Sequence, residues 1–154
     1  MTYLKTLTDG TELIPRQSLP APAQLYAELV RGPENVAALR KVYPTDDALF
    51  ADLAKAYRDL ILALYEAGCR DLKLDDCTWG MVVDDDFWSL MAGAGFDRES
   101  LQAIYLKLNN AAIKDLPADL RVSTQLSFHL GGQGGLWTGG RLPVGSRERR
   151  GLLP

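Results

Sequence analysis

Two adjacent carboxylates, Asp75 and Asp76, close the short run Asp71-Leu72-Lys73-Leu74-Asp75-Asp76. If that run is a strand of a parallel sheet, the pair stands at its carboxyl end, where loops converge on one mouth and chemistry collects. Cys77, Thr78 and Trp79 follow directly. A carboxylate in that place can bind a substrate amine, with an aromatic wall beside it. The same pair can instead cap the next loop or helix, and the pattern leaves both readings open. Asp84, Asp85 and Asp86 could attract a cation, although a solvated helix start ahead of Phe87 and Trp88 is the simpler reading. Cys69 reads as a small buried hydrophobe, and Cys77 lacks a histidine to activate it. The single histidine, His129, reads as a bystander in a glycine-rich tail rather than a ligand.

Elements that could position these residues are legible on either side. Thr45 is a candidate N-cap whose hydroxyl can accept from the first-turn N–H groups, and Asp46 and Asp47 suit the positive end of the helix dipole. Leu49, Phe50, Leu53, Tyr57, Leu60, Ile61 and Leu64 then draw one apolar stripe, ended by Gly68 at C′. This spacing predicts a helix from about Thr45 to Ala67. A second is predicted over Arg98–Lys114, with Asp97 as cap, Leu101, Ile104, Tyr105 and Leu108 on one face, and Pro117 as its stop. Leu120–Thr124 reads as another strand, and Leu13–Pro22 as one more, ending in a loop at Pro20-Ala21-Pro22. Helix, strand, helix, strand with short connections implies βα units and a parallel sheet.

The 154 residues are 47% hydrophobic and 24% charged, with a net charge of -3, one histidine and two cysteines. That composition suits one globular domain. It lacks the basic footprint of a general nucleic-acid or acidic-lipid binder, and no apolar run reaches the ~18 residues of a membrane span. Unpaired cysteine usage points to a reducing, cytoplasmic location. The texture changes after Thr124. Residues 125–154 hold eight of the 14 glycines and four arginines against one acid, with no apolar period, and read as an irregular, disordered tail.

Residues 4–124 resemble the cobalamin-independent methionine synthase family, in particular its single-barrel branch, which corresponds to the catalytic C-terminal barrel. The likeness is carried by Val42-Tyr43-Pro44, Phe50–Arg58, the string Leu64–Asp76, Asn110-Ala111-Ala112 and Val122-Ser123-Thr124, with Leu19-Pro20-Ala21-Pro22 similar to the branch's Ile-Pro-Ser-Pro loop. The resemblance implies part of a (β/α)₈ TIM barrel. It implies a transferase in which zinc turns the homocysteine thiol into a thiolate that takes a methyl group from a methylated folate, or from another donor in some branches. It places Asp75 against the homocysteine amino group, with Asp76 and Trp79 lining the same mouth.

The family continues past its Ser-Thr with His-x-Cys-Arg-Gly, whose His and Cys are zinc ligands. Here Gln125-Leu126-Ser127-Phe128 stand instead, and the family's remaining Glu and Cys ligands have no matching segment. Back-translated with free third positions and displaced by one base, 125–154 permits strings that the family carries just beyond that motif. The expectation is therefore a partial barrel over 1–124 and a frame-disrupted tail over 125–154. Such a chain is expected to hold no zinc and to be inactive alone, with neither nucleic acid nor membrane as partner. The alternative is a non-enzymatic half-barrel that self-associates or binds another chain, driven by open sheet edges and uncovered apolar surface.

Overall fold

The computed structural model describes residues 1–85, Trp88 and residues 97–126. In chain order they form α1 (Thr2–Thr8), β1 (Arg16–Pro20), α2 (Pro22–Leu29), α3 (Pro33–Val42), α4 (Asp46–Glu66), β2 (Asp71–Asp76), α5 (Thr78–Val83), α6 (Arg98–Ile113) and β3 (Arg121–Leu126). The strands make one parallel sheet in the order β1-β2-β3. The fold is thus α/β, as the alternation of elements predicts. Pro20 stands beside Asp75, and Asp75 beside Gln125, so all three carboxyl ends share one edge. Among the described residues no helix is long and apolar enough to cross a membrane.

The two long helices form where the apolar spacing predicts them, and their stripes carry the core. Leu49, Phe50, Leu53, Tyr57 and Ile61 of α4 are buried, as are Leu101, Tyr105, Leu108 and Ala112 of α6. Two expected details differ. Leu60 is 45% exposed, because the stripe drifts on a straight helix and Ile61 takes the core position. Thr45 is the N-cap residue of α4, but its hydroxyl accepts no capping bond, and Asp46 instead pairs with Arg40 at 2.7 Å. Asp97 does cap α6. Its carboxylate accepts from the Ser100 N–H at 2.9 Å, and this contact with Ser100 holds its pKa below the usual value.

Gly68 ends α4 in the left-handed region, at φ 92°. Its N–H bonds to Tyr65 O at 2.8 Å and the Cys69 N–H to Leu64 O at 2.9 Å, which satisfies the last carbonyls and aims the chain into β2. A Cβ here would sit 2.6 Å from Lys5 Nζ, a flexible neighbour that can move, so backbone strain sets the cost. Gly68→Ala should therefore lower the unfolding free energy by about 1–2 kcal/mol, read as a lower urea midpoint at unchanged slope. No change in midpoint would show that the left-handed turn is not required.

The sequence left α1, α2, α3 and α5 unread. Helices α2 and α3 each open on a proline in the first turn, a position that tolerates its missing N–H, so Pro20-Ala21-Pro22 is a strand end running into a helix rather than a loop. β1 is also shorter than the 13–22 span, and β3 runs two residues beyond Thr124.

Alternation along the strands sorts the sheet into two unlike faces. Leu72 and Leu74 are buried with Ala21, Ile61, Cys69 and Leu120. The opposite face carries Arg16 and Ser18 of β1, Asp71, Lys73 and Asp75 of β2, and Arg121, Ser123 and Gln125 of β3, in register. Arg16 Nε and Nη2 donate to the two Asp71 oxygens at 2.9 and 3.0 Å, and Arg121 lies 3.9 Å from the same carboxylate. Among the described residues this face is polar and no element packs over it. A parallel sheet normally hides both faces. Exposed large apolar side chains include Tyr3, Leu7, Leu13 and Ile14 of the N-terminal segment, and also Val42, Val83 and Leu126.

Candidate functional site

The parallel sheet brings Pro20, Asp75, Asp76, Gln125 and Leu126 to its carboxyl edge. Asp75 and Asp76 are neighbours in sequence and belong to different environments. Period-2 alternation sends their side chains to opposite faces.

Asp76 is 1% exposed, and four donors saturate it. Oδ1 accepts from the Thr78 N–H at 3.1 Å and from the Thr78 hydroxyl. Oδ2 accepts from Trp79 Nε1 at 3.1 Å and from Asn109 Nδ2 at 2.7 Å. Asn109 reaches the other way as well, its Oδ1 accepting from the Ala23 N–H at 3.0 Å in the first turn of α2. One buried carboxylate thus starts α5 and, through Asn109, ties the β2 end and α2 to α6. This is the capping alternative for Asp76. Sequence reading gave no sign of Asn109, because a mid-helix asparagine shows its use only when a buried acceptor lies opposite.

Trp79 is partly buried, and its ring meets Tyr105 edge-on at 6.2 Å. Tyr105 in turn lies 6.5 Å from Tyr26, and Tyr26 5.4 Å from Phe50, both edge-on. The hydroxyls of Tyr26 and Tyr105 are buried without a hydrogen-bond partner among the described residues. Burial, with a smaller contribution from the Asp46 charge, pushes Tyr26 up to about 12, and burial raises Tyr105 as well, reinforced by Tyr26 and Asp76.

Asp75 faces the open side of the sheet, its side chain 44% exposed. Its Oδ1 lies 2.8 Å from Lys73 Nζ, and this oxygen is screened from solvent; the contact is a charge pair rather than an aligned hydrogen bond. The exposed part of the side chain therefore lies away from Oδ1. Lys73 Nζ also donates to Gln125 Oε1 at 3.0 Å. Lys73, Asp75 and Gln125 converge across β2 and β3, a cluster the sequence hid except for one signal, a lysine set between two strand leucines.

The other candidates are placed apart from this cluster. Cys69 is buried and its thiol donates to Asp71 O at 3.4 Å, in keeping with a core role. Cys77 is exposed and donates to Gln24 Oε1 at 2.7 Å. Asp84 accepts the Trp88 N–H at its carbonyl, and exposed Asp85 pairs with Arg98. Asp86, Phe87 and His129 lie outside the described residues. Among the described residues no group of three or more His, Cys, Asp or Glu side chains can hold a metal ion. Those residues therefore do not by themselves fit the zinc that the resemblance implies.

One solved structure is similar over most of the chain. This Listeria monocytogenes protein, provisionally named a vitamin-B12-independent methionine synthase, shares 33% identity at a TM-score of 0.53, over 75% of this chain and 32% of its own. Two uncharacterized Bacillus subtilis proteins are similar in sequence. YxjH is 33% identical over 112 residues and YxjG 32% identical over 113, each match covering 73% of this chain. The chain spans 28% of the length of these curated relatives. No protein-family model matches it. The structural neighbour supports the resemblance read from the sequence.

Proposed function

We propose that this chain is part of a methionine-synthase-like barrel and carries its amino-acid-binding strand, with Asp75 receiving the α-amino group of homocysteine. The observation that carries this reading is the half-exposed Asp75 carboxylate at the carboxyl edge of the parallel sheet. A carboxylate there can accept charge-assisted hydrogen bonds from an ammonium while the buried neighbour Asp76 holds the strand end in place. In the complete reaction the homocysteine thiol gives up its proton, its sulfur forms a bond to the donor's methyl carbon as the donor's N–C bond breaks, and the donor nitrogen takes up a proton. The residues of this chain supply binding and orientation for that step. The chain alone is proposed to perform no turnover, since zinc activation of the thiol needs ligands beyond Asp75 and Cys77.

Two measurements test the proposal. Calorimetric titration with L-homocysteine should show binding that Asp75→Asn weakens by about tenfold or more, the effect of losing one charge-assisted contact. Affinity unchanged by that substitution would overturn the role of Asp75. Incubation with homocysteine, a methylated folate and zinc should yield no methionine above the protein-free blank, and zinc-dependent turnover by this chain alone would overturn the second half of the reading.

A further inference from the structure

We infer that Lys73 is a second ligand-binding residue, and that with Asp75 it makes the site selective for zwitterionic α-amino acids over amines or carboxylates alone. The inference rests on the reading of Asp75 as the amine-binding carboxylate. Lys73 and Asp75 lie two residues apart on β2, hence on the same face, over which no described element packs. The Lys73 ammonium leans toward the carboxyl edge, 2.8 Å from Asp75 Oδ1 and 3.0 Å from Gln125 Oε1. Its side chain is 28% exposed, so a ligand arriving over Asp75 also reaches it. An ammonium has three donors, and of these only the one given to Gln125 is committed to an aligned hydrogen bond.

The charge balance decides the ligand class. Together the pair is neutral. A bare amine meets a carboxylate already half-compensated by Lys73, and a bare carboxylate meets an ammonium compensated by Asp75. Either ligand leaves one protein charge poorly paired. An α-amino acid carries both charges one carbon apart, so its ammonium can lie on Asp75 while its carboxylate lies on Lys73. One internal ion pair is then exchanged for two intermolecular ones. Gln125, fixed beside Asp75 by the strand register, holds the Lys73 ammonium at the edge rather than letting it swing toward Asp71.

The test compares L-homocysteine with its decarboxylated analogue, 3-mercaptopropylamine, and its deaminated analogue, 4-mercaptobutanoate, by calorimetry on the full chain. L-norleucine serves as an amino acid without a thiol. The unsubstituted chain should bind homocysteine about tenfold or more tightly than either truncated analogue. Lys73→Met should abolish the preference over 3-mercaptopropylamine, and Lys73→Arg should retain it, which guards against a simple folding defect. A preference that survives Lys73→Met overturns the inference and leaves the homocysteine reading standing. Norleucine binding as tightly as homocysteine, with the same Lys73 dependence, supports the zwitterion site and overturns the homocysteine reading. Failure of every amino acid to bind overturns both.

Discussion

Asp76→Ala should lower the unfolding free energy by about 3–5 kcal/mol, while the same change at Asp75 costs no more than about 1 kcal/mol. The contrast follows from burial. Asp76 is 1% exposed and takes four hydrogen bonds, so its removal strands the Thr78 donors in a buried place and Asn109 Nδ2 and Trp79 Nε1 in a partly buried one. Each buried donor left unmet costs about 1–3 kcal/mol, partly recovered by local relaxation. Asp75 loses only a half-exposed charge pair with Lys73. Asp76→Asn should fall between, because an amide presents an acceptor to Thr78 but turns a donor toward Trp79 and Asn109. Urea melts of the three variants decide the matter, and equal losses at the two aspartates would refute the assignment of one to structure and the other to binding.

Stability should also fall steeply in alkali. The unfolded chain releases tyrosine protons near pH 10, whereas folded Tyr26 holds its proton to about 12 and Tyr105 is raised in the same direction. Between those values the unfolded state binds fewer protons than the folded one, so unfolding is favoured as pH rises. The contribution is fully present below pH 10 and lost through pH 12. For Tyr26 alone the two-unit difference is worth about 2–3 kcal/mol. Tyr26→Phe and Tyr105→Phe should each flatten the pH 10–12 decline. At pH 7 they should be neutral or stabilising by up to about 1 kcal/mol, since each removes a buried hydroxyl without a partner among the described residues. Denaturant midpoints at pH 7, 10 and 11.5 measure both effects. A decline in the double variant as steep as in the unsubstituted chain would trace the alkaline loss to other groups.

What could be read in advance was local in origin. The α4 and α6 stripes, the Asp97 cap, the Gly68 turn and β2 all depend on residues within a few positions of one another, where helix period, capping chemistry and left-handed backbone act directly. The period of two of β2 also sends Asp75 and Asp76 to opposite faces, which separates two residues that the sequence reading places together at one mouth. The resemblance drawn from Leu64–Asp76 and its neighbours is matched by a structure 33% identical to the chain.

The short helices α1, α2, α3 and α5 escaped, because each has too few residues for an apolar period to stand out. Which aspartate would be structural could not be settled along the chain at all. That depended on the side of the sheet the helices occupy. They cover Leu72 and Leu74, which enclosed Asp76 at the edge of that layer and set Asn109 against it, leaving Asp75 in the open with Lys73 and Gln125. Sequence determined the alternation, since it is a property of the extended backbone. Only tertiary packing decided which half of it met water, because burial is set by elements tens of residues away.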